Sequence, residues 1–184
     1  MNWLSFAIVT WVFFGLELGL RDTLQLGPLP IAPSFVVALL IYIALHASPR
    51  AVLWAAIVLG LLVDLTGSIE LVPRYTTVIV GPHAIAYFLA AQMVLAMRGM
   101  IVSRNPLSMG VLAVVAAAVA QIVVVAFLTI HKLYGDPIVW NASERLVSGL
   151  ASAVYTGVVA AILSLVLIPL TPLFGFTTAR RFGH

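Results

Sequence analysis

Apolar residues in this chain fall in six long runs, separated by short polar or proline-rich breaks. About 20 apolar residues cross the hydrocarbon core of a bilayer as a helix. The runs predict helices over about 3–20, 33–46, 51–65, 75–97, 107–130 and 146–170. The second is short for a crossing. It either starts a few residues earlier or lies partly at the interface.

The breaks carry their own signals. Arg21 and Asp22 end the first helix, and Gly27-Pro28-Leu29-Pro30-Ile31-Ala32-Pro33 is too proline-rich to continue one. Pro33 is tolerable in the first turn of the second helix. Ala47-Ser48-Pro49-Arg50 forms a tight turn, and Thr66 to Arg74 an exposed connection. Gly81-Pro82 predicts a kink inside the fourth helix. Arg98 to Pro106 is a basic loop, and His131 to Arg145 a polar one holding Lys132, Asp136 and Glu144. A basic tail from Thr171 carries Arg180 and Arg181. The first apolar run has no basic n-region and no small-residue cleavage site, so it is expected to remain as a helix.

Composition agrees with a lipid solvent. Of 184 residues, 63% are hydrophobic and 8% charged; a soluble domain carries about 25% charged residues. The expected fold is an all-α membrane protein, one domain over 1–184, built as a six-transmembrane-helix bundle. The absence of cysteine excludes disulfides and thiolate chemistry. The histidines (His46, His83, His131, His184) show no ligand spacing.

Orientation follows the basic residues of short loops. Arg50, Arg98, Arg104, Arg180 and Arg181 share one side with both termini; Arg21, Arg74, Lys132 and Arg145 lie opposite. Five against four places both termini in the cytoplasm.

Polar groups inside a bilayer are costly, so each needs a reason. Asp64 closes the third helix, and Ala56, Gly60 and Asp64, spaced by four, share one face. Small residues there admit a neighbouring helix closely. Asp64 is then either a partner or ligand site, or a carboxylate capping a neighbouring loop. Glu17 stands four residues before Arg21, a favourable helical ion-pair spacing. Gln121 suits one interhelical hydrogen bond. His83 suits a structural bond, since no carboxylate stands at helical spacing from it. Gly15 and Gly19 form a GxxxG pair, and Gly149, Ala153, Gly157 and Ala161 a small-residue stripe expected to pack internally. Trp3 and Trp140 suit the interfacial belts. No metal signature, phosphate-binding loop or hydrolytic pair is visible, so no cofactor is expected and no enzyme activity.

One stretch resembles a known family. Pro33-Ser34-Phe35-Val36-Val37-Ala38-Leu39-Leu40-Ile41-Tyr42, then Pro49-Arg50, then Gly60-Leu61-Leu62-Val63-Asp64-Leu65 and Gly67-Ser68 are similar in order and spacing to the bacterial rod shape-determining MreD family. Helix 6, ending in Pro169 before a basic tail, is also similar. Ile69 to Arg74 departs from the Pro-Leu-Gly-like step common after the family's aspartate.

The resemblance implies a bacterial cytoplasmic-membrane scaffold of the cell-elongation machinery. It implies binding to MreC and, indirectly, association with MreB and the RodA/PBP2 peptidoglycan synthase. It also implies a bundle like the S-components of energy-coupling-factor vitamin transporters. The expected contact or structural residues are Asp64, Gly60, Ala56, Glu17, Arg50, Gly15 and Gly19, with anionic lipid meeting the cytoplasmic arginines. The alternative is a substrate-binding S-component, which needs several convergent polar groups. Glu17, Asp64, His83, Tyr87 and Trp140 are the candidates for those.

Overall fold

Caps and prolines decide where the helices begin. A computed structural model describes residues 2–27, 30–67, 69–71, 75–100, 105–134 and 140–171, with backbone alone at 69–71, 75, 76 and 170. Helix α1 (Trp3–Leu20) starts at Asn2, whose side chain accepts from the Leu4 N–H. Helix α2 (Phe35–His46) starts at Ser34, whose side chain accepts from the Val37 N–H. Pro33 therefore stands outside the helix, where its missing donor costs nothing. Helix α3 (Pro49–Thr66) opens on proline, and α5 (Pro106–Leu133) has proline in its first turn behind the cap Asn105. Helix α6 (Ala142–Leu170) follows.

The start of α4 differs from expectation. The helix is Pro82–Met97, not 75–97. Residues Tyr75–Thr77 form strand β2, antiparallel to β1 (Ile69–Leu71), with Ile69 opposite Thr77 and Leu71 opposite Tyr75. The apolar run continues through 75–80, but Thr76, Thr77, Val78, Ile79 and Val80 are β-branched and favour extended backbone. Gly81 then takes φ 126°, which L side chains rarely adopt. Gly81-Pro82 is thus a helix start and not a kink. Helix α1 matches its expected bounds, α2 is shorter at 35–46 for 33–46, and α3, α5 and α6 run slightly longer: 49–66 for 51–65, 106–133 for 107–130 and 142–170 for 146–170. A 3-10 turn at Arg98–Met100 opens the connection after α4; Arg104, like Asp136, Arg180 and Arg181, lies outside the described residues.

Among the described residues four helices, α1, α3, α5 and α6, are long and apolar enough to cross a membrane. The chain thus has the character of a multi-pass helical membrane protein. Helix α2 is the centre of the packing. Ten of its twelve residues are buried, and it touches α1, α3, α4, α5 and α6. Such a helix, apolar on every side, belongs inside a bundle. Yet twelve residues rise only about 18 Å, against a hydrocarbon core of about 30 Å. Its ends therefore fall within the bundle.

Small residues bring the other helices together. A Cβ on Gly60 of α3 would collide with the Ala84 Cα and the His83 carbonyl oxygen of α4. A Cβ on Gly110 of α5 would stand 2.9 Å from the Gly157 carbonyl oxygen of α6. At Gly149 the space is filled by the Gln121 side chain. In lipid, where burying apolar surface gains little, such close backbone approach supplies much of the attraction.

Candidate functional site

A helix leaves its first N–H groups without internal partners. In a membrane no water is at hand to satisfy them. Two helices here receive a carboxylate from the preceding helix.

The first is α4. Gly81 offers no capping side chain. Asp64, 4% exposed at the end of α3, fills the gap. Its Oδ2 accepts from the N–H of Gly81 at 2.8 Å and of Ala84 at 3.3 Å. Its Oδ1 accepts from the His83 N–H at 3.1 Å and stands 2.7 Å from His83 Nδ1. A carboxylate can only accept, so Nδ1 carries the hydrogen. The negative charge also meets the positive end of the α4 dipole. Gly60, one turn earlier, and Ala56, fully buried, lie on the same face of α3 and let α4 come close enough for this contact.

The second is α2. Glu17 Oε2 accepts from the N–H of Phe35 at 2.6 Å and of Val36 at 3.1 Å, and from the Ser34 hydroxyl at 3.3 Å. The expected local pair with Arg21 gives way to this contact. Arg21 is exposed beyond α1 and adds attraction from a distance. The spacing rule describes one helix only, whereas the unsatisfied N–H groups belong to another.

Tyr87, a buried residue of α4, lies within electrostatic reach of both Glu17 and Asp64. The His83 ring stands edge-on to Tyr87, with centroids 6.1 Å apart. Hydroxyls of α6 hold the lead-in to α2: the Ala32 N–H donates to Ser152 Oγ at 3.3 Å, and the Ser34 N–H to Thr156 Oγ1 at 2.9 Å. One polar layer therefore joins α1, α2, α3, α4 and α6 at a single end of the bundle, since α1 and α3 finish where α2 and α4 begin.

The opposite end of α2 has the opposite charge. Arg98 donates to the Ala47 carbonyl at 3.0 Å and the Ala44 carbonyl at 3.4 Å. A short buried helix is thus closed by an acid at its N-terminus and a base at its C-terminus, each from another segment, each matching the dipole.

The remaining sequence candidates lie apart. Arg50 is exposed in the first turn of α3. A Cβ added at Gly15 or Gly19 would meet nothing within 4 Å, so both glycines face away from the bundle. Trp140 sits at the α5–α6 connection, donating from Nε1 to Thr129 Oγ1 at 3.1 Å, and Arg145 stacks over it at 5.8 Å. An open hollow lies beside the first turns of α6, lined by Ser143, Glu144, Val147 and Ser148. Among the described residues no three His, Cys, Asp or Glu side chains gather as a metal site.

The cap set was only partly visible from sequence. The roles of Arg98, Ser152 and Thr156 were missed. One signal was present: a Gly-Pro helix start with no capping side chain, following a helix that ends in aspartate.

The fold and this layer define a class, the multi-pass helical membrane protein. Comparison with protein-family models, with curated proteins and with solved structures finds no match.

Proposed function

We propose that this chain is a non-enzymatic membrane scaffold of the MreD type, which binds MreC in the bacterial cytoplasmic membrane and thereby serves the cell-elongation machinery. The observation that carries this reading is the employment of the intramembrane acids. Asp64 spends both carboxylate oxygens, and Glu17 its Oε2, on helix N-termini. Groups tied up in this way hold surfaces in position. An S-component would want some of them turned toward a ligand.

In this reading all six helices cross the bilayer. For α2 the crossing is completed by its lead-in 30–34. Both termini then face the cytoplasm with Arg50 and Arg98, and the polar layer lies toward the outer side.

The test is affinity purification of the full chain from membranes also containing MreC, MreB, RodA and the paired transpeptidase. Stoichiometric recovery of MreC, with no small molecule retained, supports the scaffold. A vitamin-like molecule retained through purification, with MreC absent, supports the S-component reading and removes this one.

A further inference from the structure

Helix α1 stands apart from the rest of the bundle. Only 17% of its spanning window is buried, against 33%, 44% and 33% for α3, α5 and α6. Its buried residues are Thr10, Phe13 and Phe14, and its main contact is α2. Its outer face, with Ile8 at 57% and Trp11 at 80% exposure, stays uncovered by the described residues.

The contact that does form is poorly optimised. Thr10 Oγ1 is buried without a hydrogen-bond partner. No glycine of α1 draws a neighbouring backbone close, in contrast to Gly60, Gly110 and Gly157. In lipid, separating two apolar helix faces exchanges one apolar contact for another. The polar contact then weighs most, and α1 has one: Glu17 on the Phe35 and Val36 N–H groups and the Ser34 hydroxyl.

We propose that α1 is a latched, releasable helix, fastened by the Glu17 carboxylate to the N-terminus of α2, while α2–α6 hold together without it. The latch lies at the end of α1 next to the 21–34 connection. Undoing it frees the helix from the N-terminus of α2. Ser34 continues to cap the Val37 N–H after release, so α2 keeps part of its own N-terminal closure. The same atoms that fasten α1 also close α2, which couples the position of α1 to the start of the central helix.

The absence of cysteine makes a direct test simple. Spin labels at Ile8→Cys and Val158→Cys report the distance from α1 to the bundle, and labels at Trp54→Cys and Val158→Cys report the bundle itself, all in the full chain in nanodiscs. All three positions are exposed. The docked protein gives one narrow α1 distance. Glu17→Ala raises the ratio of released to docked α1 by about tenfold or more, as expected for losing charge-assisted hydrogen bonds. Glu17→Gln, which keeps an acceptor, gives a smaller rise, and Phe13→Ala a smaller one than Glu17→Ala. The bundle distance stays narrow in every case. An unchanged α1 distance in Glu17→Ala means that apolar packing holds the helix, and the latch is wrong. Broadening of both distances means that α1 is an integral part of the bundle, and its separate release is wrong.

Discussion

The α1–α2 corner and the α3–α4 corner use the same polar device on very different foundations. In each, a carboxylate near the end of one helix closes the N-terminus of the next. At the α3–α4 corner Gly60 also brings the backbones together, and Asp64 makes contacts to three N–H groups and a ring nitrogen. At the α1–α2 corner the glycines face outward, and Glu17 works against two N–H groups and a hydroxyl. Caps of one kind can therefore serve a rigid joint or a loose one. Backbone approach decides which.

The sharpest way to break this comparison is at the glycine. Gly60→Val would drive a side chain into the Ala84 backbone, and the α3–α4 joint would lose about 3 kcal/mol or more. Unfolding in mixed detergent micelles reads this as a lower midpoint. Next comes Asp64→Ala, which leaves buried donors without an acceptor at a cost of about 3 kcal/mol. Asp64→Asn should recover part of the loss in the same titration. Arg98→Ala, which unpairs the Ala44 and Ala47 carbonyls, should cost about 1–2 kcal/mol and loosen α2 at its C-terminal end only. Smallest is Gly15→Ala with Gly19→Ala. Both sites are open, so stability should stay within about 0.5 kcal/mol of the parent. A large loss there would mean that this ridge is packed after all.

Much of the architecture was readable from the apolar runs. Helices α1, α3, α5 and α6 follow them to within a few residues, because length and hydropathy are local properties. The start of α4 was not readable in the same way. Residues 75–80 are as apolar as a span, and only their β-branching and the Gly81-Pro82 step tell strand from helix. The face shared by Ala56, Gly60 and Asp64 was visible from spacing by four. The targets of Asp64 and Glu17 were not, since a cap supplied by another helix depends on which ends the fold brings together. The same holds for Arg98, which lies more than fifty residues from the carbonyls it satisfies. His83 shows the limit of spacing arguments most plainly. Its carboxylate partner exists, but on α3.

The central claim is that each intramembrane acid closes one particular helix. Amide hydrogen exchange resolved by residue tests it most directly, in Asp64→Ala and Glu17→Ala compared with the parent. The account predicts a crossed pattern: Asp64→Ala speeds exchange at Gly81, His83 and Ala84 and leaves Phe35 and Val36 unchanged, while Glu17→Ala does the reverse. Unaltered exchange at both sets, or both sets opening in either variant, would contradict it.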